Sequence, residues 1–495
     1  MAKVFSVTDF KAGLDVRKTP LTAPGGSLRI LENAVLNQGG EIEKRQAFAL
    51  MTTIPPVGAV GGVEIAPYMI GHSGALHVFG STLDVVVPPG VSPVPIIYHQ
   101  VMNDVPLPPT VGVTLSEILD VEPFDDQFFL CGRTFEGPTQ CWFSTVGSGG
   151  DTLFLVGEAD GSMSHGTYAR TWKSKMYRLD GEYLRFSGIN NPGQNDPDDT
   201  TNPGAGFINL ALNDPDGEEV QSMEIFYQSM AVMSRLQTQV WTLDPDPTKD
   251  TLAQVLRMGA VTAHTTVQFG TGDVLFLSDS GVRSLKAQSS AFTIAASVGD
   301  VGSAIDLILI PVIRTNSIDV QKAEAVVQPI QGRYWLAIGD TIYVLSYFPA
   351  GDITAWSTLK PGFKPRCFSI VNNMVFCLDE NRNIYLYGGV SRNEYDSCKV
   401  TIRTPHMAAD NPTENKRIKS VDVMCQGQWT VQIGMLPNNV EAFELCATIQ
   451  DNTYGLKSIP FAGYGTHFGV HLEHQAPGPA LMACLHFNLQ EGQVK

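Results

Sequence analysis

Seven segments of the chain repeat one pattern, in which an apolar run meets a polar turn and a second apolar, often aromatic, run follows. The seven are LHVFGSTLDVVV from Leu76, FFLCGRTFEGPTQCWF from Phe128, KMYRLDGEYLRFSG from Lys175, MAVMSRLQTQVWTLD from Met230, VLFLSDSGVRSL from Val274, YWLAIGDTIYVLSY from Tyr334 and MVFCLDENRNIYLYGG from Met374. Each predicts two antiparallel strands joined by a tight turn, and the Asp-Gly and Asp-Ser-Gly turns of the third and fifth segments supply residues that tolerate a positive φ. Successive segments begin about 40 to 60 residues apart, which is the period of propeller blades.

A two-stranded hairpin is not stable alone in water, whereas radial packing of small sheets buries both faces of each sheet. The pattern therefore predicts an all-β chain with a central β-propeller over residues 55–395. After Gly389 the spacing stops, and the alternating strands that follow predict a C-terminal β-sandwich domain over residues 396–495. Residues 1–54 are predicted to form a short N-terminal attachment segment that contains a helix over Leu28–Asn37. A pair of β-sandwiches built from ordinary hairpins is the alternative, and the pattern does not fix the number of blades.

Net charge and charge content limit the class of function. The 495 residues include 33 Lys and Arg against 50 Asp and Glu, a formal net charge of −17. A protein that wraps nucleic acid through a general basic surface needs the opposite sign. Only 17% of the residues are charged, below the usual quarter, so we expect partners to cover part of the surface.

The cysteines and apolar stretches bear on the cellular compartment. None of the eight cysteines forms the C-x-x-C pair of a zinc or redox site, and we interpret them as small core residues in a reducing cytoplasm. The opening stretch, MAKVFSVTDFKAGLDVRK, lacks the apolar region of a secretory signal. The most apolar stretch, Ala304 to Ile313, is far shorter than the roughly 20 residues that span a bilayer. We therefore expect neither export through the general pathway nor stable insertion in a membrane.

The opening of the chain combines an early Phe-x-x-Gly-Leu, a small-residue turn before an Asn-containing helix, and a strand that ends in Arg. The residues that carry these features are Phe10, Gly13, Leu14, Gly26, Leu28, Asn33, Gly40 and Arg45. In them the chain resembles the start of the tail-tube (nozzle) and packaged-DNA stabilisation proteins of short-tailed bacteriophages. Ala47 stands where that pattern has a glycine. The resemblance is confined to this opening part of the chain and is only architectural beyond it.

This resemblance implies a structural virion protein and not an enzyme. It implies a homo-hexameric ring below the portal and adaptor, through which packaged double-stranded DNA is retained and later ejected. The implied partners are the adaptor (head-to-tail connector) protein and tail fibre or needle proteins, and DNA passes without specific binding. The implied location is the phage tail, assembled in the cytoplasm of the host bacterium. Two alternatives remain open: a β-propeller enzyme that acts on carbohydrate, and a propeller adaptor that binds other proteins.

The sequence contains no recognisable catalytic signature. No phosphate-binding G-x-x-x-x-G-K-[ST] occurs, residues 270–272 lack the third glycine of a dinucleotide site, and residues 71–74 lack the spacing of a nucleophile elbow. His467 and His471 would share one face of a strand while His474 points to the other, so these histidines are interpreted as structural. We predict no catalytic residue, no metal site and no cofactor.

Three acidic loops are the candidates for lining a DNA channel. Their carboxylates are Asp196, Asp198, Asp199, Asp214, Asp216, Asp244, Asp246 and Asp250. None of the loops has the spacing of a calcium-binding EF-hand loop. In a ring, acidic groups beside a narrow channel would repel the duplex over a Debye length of about 8 to 10 Å, so that DNA slides without sticking. The alternative is that they are solvated loops between strands.

Four basic residues form a local concentration near the C-terminal end of the chain. They are Arg403, Lys416, Arg417 and Lys419. We predict that they dock onto an acidic surface of a neighbouring subunit. The alternative is that they are solvated residues at strand edges, where lysine blocks unwanted strand pairing.

Overall fold

The computed structural model describes residues 2–54, 66–81, 86–87, 92–100, 115–134, 139–145, 152–155, 164–201, 203–214, 218–290, 300–409, 411–450, 452–453 and 459–491. Strands predominate in these ranges, and the predicted all-β class is confirmed. The helices are α1 (Leu285–Ser290), α2 (Asp306–Arg314) and α3 (Ile318–Gln321), with short 3-10 helices at Leu210–Asn213, Pro247–Lys249, Ala263–Thr265 and Pro349–Gly351. Within the described ranges, no helix is both long enough and apolar enough to cross a bilayer.

The chain up to Ile54 contributes strands to three different sheets. These strands are β1 (Ala2–Val7), β2 (Gly13–Leu14), β3 (Ser27–Leu28), β4 (Ile30–Glu32), β5 (Ala34–Leu36), β6 (Ile42–Lys44) and β7 (Phe48–Thr53). Several of them pair with strands that lie far along the chain, because β1 pairs with the last described strand and β7 pairs with residues 383–387.

Seven groups of three or four strands follow along the chain, numbered here as sheets 1 to 7; sheet 6 is the first part of an eleven-stranded sheet. Sheet 1 has β8 (Tyr68–His72), β9 (Ala75–Ser81), β10 (Val86–Val87) and β11 (Ile96–Gln100); sheet 2 has β12 (Leu115–Phe124), β13 (Gln127–Thr134), β14 (Thr139–Thr145) and β15 (Thr152–Leu155). Sheet 3 has β16 (Tyr168–Trp172), β17 (Lys175–Asp180), β18 (Tyr183–Phe186) and β19 (Gly206–Asn209); sheet 4 has β20 (Val220–Phe226), β21 (Ser229–Ser234), β22 (Thr238–Thr242) and β23 (Thr251–Leu256). Sheet 5 has β24 (Val267–Phe269), β25 (Asp273–Ser278) and β26 (Gly281–Ser284); sheet 6 has β27 (Glu324–Gln328), β28 (Arg333–Ile338), β29 (Thr341–Phe348) and β30 (Ile353–Leu359). Sheet 7 has β31 (Pro365–Val371), β32 (Met374–Asp379) and β33 (Asn383–Tyr387), and β7 completes it as the fourth strand.

The first strands of these sheets lie side by side around a common axis. Going along the chain, β8 contacts β12, and the contacts continue through β16, β20, β24 and β27 to β31. β31 then contacts β8, so the last sheet meets the first. The arrangement of the seven sheets is therefore propeller-like.

Six of the seven predicted hairpins are confirmed. They are β13–β14, β17–β18, β21–β22, β25–β26, β28–β29 and β32–β33, all antiparallel neighbours. The prediction from Leu76 is wrong, because β9 and β10 do not pair with each other: β11 lies between them and runs parallel to β9. The apolar run after Leu76 thus finds its partner in Ile96–Gln100, further along the chain, and not across a tight turn.

The sequence predicts a short attachment segment over residues 1–54, and the strands of its described part, residues 2–54, are built into the sheets around them. The predicted helix over Leu28–Asn37 is wrong. β4 lies between β30 and β34, whose bounds follow below, and Asn33 has φ 57° between β4 and β5. The segment is buried on both faces, so its apolar residues are not limited to alternate positions as in a strand with one exposed face. Their spacing along the sequence therefore resembles that of a helix.

The C-terminal strands form two sheets that share one hydrophobic core with sheet 6. They are β34 (Val400–Arg403), β35 (Lys416–Gln426), β36 (Trp429–Gly434), β37 (Glu444–Ile449), β38 (Ile459–Gly465), β39 (Gly469–His474) and β40 (Leu481–Glu491). One sheet has the order β38-β35-β40-β6-β5, with β1 on β40, and the other continues from β30 through β4 to β34, β39, β36 and β37. One continuous hydrogen-bonded sheet, which runs from β27 through β30, β4 and β34 to β37, therefore joins the propeller-like part to the C-terminal part.

The cysteines lie where the sequence predicts. All eight are free, six are buried, and Cys398 and Cys446 are half-buried. Cys131 and Cys141 face each other across β13 and β14, with their sulfur atoms 3.8 Å apart.

Candidate functional site

A guanidinium shared by two carboxylates lies where the first strands of sheets 2, 3 and 4 meet. Arg170 on β16 is 3.2 Å from Glu122 on β12 and 3.5 Å from Glu224 on β20. Burial raises the pKa of Glu122 to about 7, and Asp120 and Glu224 add to this rise, while the charge of Arg170 and a hydrogen bond from the Thr171 amide oppose it. The single guanidinium of Arg170 thus forms ion pairs with two buried carboxyl groups, so carboxyl groups outnumber cations in this cluster.

A second set of hydrogen bonds ties sheets 1, 2 and 3 together at the same level. The Tyr68 hydroxyl donates to Asp120 Oδ1 at 3.1 Å, and the Ala169 amide donates to Asp120 Oδ2 at 2.9 Å. Asp120 is 1% exposed, so both of its oxygens need such donors. The first strands are therefore held by polar contacts as well as by apolar packing.

His264 reaches across the axis from the 3-10 helix before sheet 5. Its Nε2 donates to the Leu119 carbonyl oxygen of sheet 2 at 2.9 Å. Its ring contacts Tyr68 and Tyr168, with centroids 6.0 and 5.5 Å away. The side chains of His264, Tyr68 and Tyr168 thus occupy the space between the first strands of sheets 1, 2 and 3.

An open pocket with a volume of about 660 Å³ lies where the first strands begin. Its wall includes Pro67, Tyr68, Ile118, Leu119 and His264, together with residues around β27 and β31. Glu324, at the start of β27, is 7% exposed and lines the pocket. Its Oε1 accepts a hydrogen bond from the Phe368 amide at 3.0 Å. Burial raises the pKa of Glu324 to about 7, although His264 and the Phe368 amide favour the charged form.

The cations of the pocket wall already have partners. Lys322 lies 3.6 Å from Glu117, and Arg366 lies 3.0 Å from Glu380. Arg382 is buried and donates to the Gly80 carbonyl oxygen at 2.7 Å. Lys322 and Arg366 therefore form neutral pairs on the rim, and the Arg382 guanidinium is held by a backbone carbonyl oxygen.

The buried Glu324 makes folding stability depend on pH. Between its ordinary pKa of 4.5 and its folded value of about 7, the folded protein holds a proton that the unfolded chain has released. The stabilisation is complete below pH 4.5 and is lost as the pH rises through 7, because the free energy of unfolding falls where the folded state binds more protons. Relative to Glu324→Gln, the wild type should lose on the order of 1 to 3 kcal/mol over this window. Urea unfolding of both proteins at pH 5 and pH 8 checks this, and parallel pH profiles would contradict it.

The residues that carry the family resemblance lie at the junction of the two parts of the molecule. Phe10 and Leu14 are buried in the shared core. Gly13 has φ 57°, and a Cβ there would stand 2.7 Å from the Ala355 Cβ of β30. Asn33 donates from Nδ2 to the Lys399 carbonyl oxygen at 2.8 Å. The residue types are therefore required by packing and hydrogen bonding at these positions.

Arg45 is the centre of this junction, with 1% exposure. Its Nε donates to Asn33 Oδ1 at 3.1 Å, and its Nη1 donates to Asp396 Oδ2 at 2.9 Å. The Lys360 amide donates to the same Asn33 oxygen at 2.8 Å. Ala47, where the family pattern has glycine, is not among the residues with positive φ, so its backbone accepts a side chain.

The acidic loops of sheets 3 and 4 lie near each other but away from the pocket. Asp196, Asp198 and Asp199 follow β18, while Asp244, Asp246 and Asp250 follow β22. Both loops begin at the ends of third strands, whereas the pocket lies where first strands begin, so the loops and the pocket occupy opposite ends of the strands. Asp216 lies outside the described residues.

These carboxylates also build their own turns. The Asp198 amide donates to Asp196 Oδ1 at 2.9 Å, and the Asp246 amide donates to Asp244 Oδ1 at 3.0 Å. Such Asx turns explain the aspartates without a ligand. Asp214 is 7% exposed and accepts a hydrogen bond from the Ser234 hydroxyl, so its burial removes it from any channel surface.

The four basic residues divide between surface and interior. Arg417 and Lys419 are exposed on one face of β35. Lys416 points the other way, is 5% exposed and donates to the Asn411 and Glu414 carbonyl oxygens, so it is not available for docking. Arg403 pairs with Glu441 and lies over the Phe443 ring at 5.0 Å.

Within the described ranges, no group of three or more His, Cys, Asp or Glu side chains has the geometry of a metal site. His474 is buried, and its two ring nitrogens contact the carbonyl oxygens of Gln428 and Ala476. His471 contacts Glu473 at 2.9 Å.

Sequence reasoning missed the axial residues and the pocket. The available signal was a charged residue inside the apolar run before five of the seven predicted hairpins, as in LDVEPF around Glu122, YARTW around Arg170 and EAVV after Ala323. Such residues belong to first strands, which precede the hairpin repeat and were not included in it.

The comparisons with known proteins give similarity of structure only. No protein-family model matches the chain, and no curated protein matches it. The computationally designed Ika8 protein is 10% identical and matches 69% of this chain and 99% of its own length, with a TM-score of 0.35. BamB from Moraxella catarrhalis is 9% identical over 78% of this chain and 98% of its own length, and the AfRom2 CNH domain is 10% identical over 72% and 94%; both have a TM-score of 0.33. At these scores the similarities support no inference about function.

Proposed function

We propose that the seven sheets form a closed seven-bladed β-propeller, joined to a C-terminal β-sandwich. Two features support the closure: β31 contacts β8, and β7 completes sheet 7 with a strand from the beginning of the chain. Completing the last blade with a distant strand removes the open edge that the ring would otherwise have. The shared core of the two C-terminal sheets supports the sandwich.

On this architecture, the protein is a structural subunit of a phage tail, a nozzle subunit that assembles as a homo-hexameric ring in the virion. The observation that carries the proposal is the junction around Arg45, which is built from the residues that the chain shares with the nozzle family. Those residues hold the N-terminal strands between the propeller and the sandwich. A chain that has the same residues in the same order is therefore expected to have the same architecture. The adaptor protein and fibre or needle proteins would be its neighbours, and its role requires no catalysis.

The axis of the propeller is not the DNA channel in this proposal. His264, Tyr68 and Tyr168 fill the axis, and the 660 Å³ pocket has room for a small ligand and not for a duplex. The channel would instead run between copies of the chain. Six copies at −17 carry a formal charge of −102, so exposed acidic loops such as that of Asp198 would repel DNA from the channel wall.

Quantitative mass spectrometry of purified, DNA-filled particles from the source tests this proposal. The chain is counted against the major capsid protein in the same sample. About six copies per particle are expected for one sixfold ring. Absence of the chain from washed particles would refute the proposal and favour the propeller-enzyme and adaptor alternatives.

A further inference from the structure

The pocket at the start of the first strands has the size of a ligand site. Its volume of about 660 Å³ falls within the roughly 300 to 1,000 Å³ that small-molecule sites occupy. It is lined by residues of sheets 1, 2, 6 and 7, together with His264. A site that several sheets build is held in shape by the packing of all of them.

Among the described residues, two buried carboxyl groups of this pocket are in no ion pair, Asp379 and Glu324. Both oxygens of Asp379 accept hydrogen bonds from Asn383, which leaves Glu324 as the group that needs a counter-ion. Among the described residues no ion pair includes Glu324, whereas Lys322 and Arg366 are paired with Glu117 and Glu380. Its backbone partner, the Phe368 amide, occupies Oε1. An ionised carboxylate that is 7% exposed needs a counter-ion, and burial keeps the pKa of Glu324 near 7 while none is bound.

The surroundings of Glu324 suit a cation that carries an apolar stem. Pro67, Ile118 and Leu119 provide an apolar wall, and Tyr68 contributes an aromatic ring. Cations are attracted to the faces of aromatic rings, and short alkyl chains pack on aliphatic side chains. The neutral pairs on the rim leave little attraction for an anion.

We propose that this pocket binds an organic cation, a primary ammonium or guanidinium group on a short apolar stem, with the Glu324 carboxylate as its counter-ion. The cation displaces water from the pocket and makes a charge-assisted hydrogen bond to the carboxylate. The proposal does not depend on the role of the protein in a virion. The ligand is a small molecule or a side chain of this chemistry.

Ligand-observed saturation-transfer NMR on the full-length protein tests the proposal with three probes of similar size. n-Butylammonium carries the cation, 1-butanol is neutral, and n-butyrate carries the opposite charge. We expect saturable binding of n-butylammonium at pH 7.5, and at least tenfold weaker binding of the other two. Ethylguanidinium should compete with n-butylammonium. Equal binding of 1-butanol would show that the pocket selects only apolar character, and preferential binding of n-butyrate would show an anion site; either result overturns the proposal.

The variant Glu324→Gln keeps an oxygen for the Phe368 amide and removes the charge. We expect it to weaken n-butylammonium binding at least tenfold, while the matched change Glu219→Gln on the surface leaves binding unchanged. Calorimetry of the wild type at pH 7 in phosphate and in Tris supplies a readout that does not depend on how well the variant folds. Binding should release up to about half a proton, because the carboxyl group with a pKa of about 7 must ionise. Undiminished binding by a folded Glu324→Gln, or binding without proton release, overturns the proposal.

Discussion

Gly71→Ala is expected to open the contact between the first and the last sheet. Gly71 lies on β8, and a Cβ at this position would overlap the Ile370 carbonyl oxygen of β31 and stand 2.8 Å from Val371 Cγ2. The obstacle is backbone, which cannot move aside as a flexible side chain can. We expect a loss of about 3 kcal/mol or more and a fall of roughly 3 °C or more in the calorimetric unfolding midpoint of a chain of 495 residues.

The control for this prediction is Gly193→Ala. Gly193 is exposed in the loop after β18, and the nearest atom to a Cβ there is Asn191 Oδ1 at 3.7 Å. Its midpoint should stay within about 1 °C of the wild type, since exposed substitutions of this kind usually change stability by less than about 0.5 kcal/mol. If both variants unfold at the same temperature as the wild type, β8 and β31 are not packed against each other as described, and the proposed closure fails with them.

Arg45→Ala is expected to loosen the junction between the propeller-like part and the C-terminal sheets. It removes the donors to Asn33 and Asp396, and Asn33 lies in the interior at 5% exposure. Asn33 Oδ1 keeps the hydrogen bond from the Lys360 amide, so the loss comes from the ion pair with Asp396 and from the cavity that the buried Arg45 side chain leaves. Because the Asp396 side chain is 37% exposed and water can reach it, we expect about 3 kcal/mol.

Hydrogen exchange measured by mass spectrometry locates this effect. Amides of β5 and β34 should exchange faster in Arg45→Ala, while those of β21 in sheet 4 should not change. The exposed Arg257 gives the matched control Arg257→Ala, for which exchange at the junction should equal that of the wild type. Arg45→Lys should fall between the two, because an ammonium cannot reproduce the fork of donors that Arg45 presents. Unchanged exchange at β5 and β34 in Arg45→Ala would show that the junction does not depend on this side chain.

The sequence predicts the hairpins well because a hairpin is determined locally. In KMYRLDGEYLRF, Gly181 and Glu182 make the turn, with φ 58° at Gly181, and the flanking residues form β17 and β18. Pairings between distant residues have no such signal. Nothing in FALMTT from Phe48 shows that it pairs with Asn383–Tyr387, and the pairing of β11 with β9 displaced the hairpin predicted from Leu76.

The candidate site was harder to predict than the fold for the same reason. Glu122, Arg170 and Glu224 are each visible as charges within apolar strands, but only the ring of first strands brings both carboxylates within 3.5 Å of the guanidinium. The acidic loops are conspicuous in the sequence because their charges lie close together along the chain. Several of those aspartates stabilise their own turns, which is a local role and needs no ligand.

The pairing of β1 with β40 has a consequence for synthesis on the ribosome. Residues 2–7 leave the ribosome long before their partners, residues 485–490, are translated, because more than 470 residues of chain lie between them. At roughly 5 to 20 residues per second, the opening strand waits on the order of half a minute to a minute and a half for its partner. During that interval its backbone donors and acceptors are exposed to other nascent chains. Chains with a formal net charge of −17 repel one another, which reduces wrong pairing of the waiting strand.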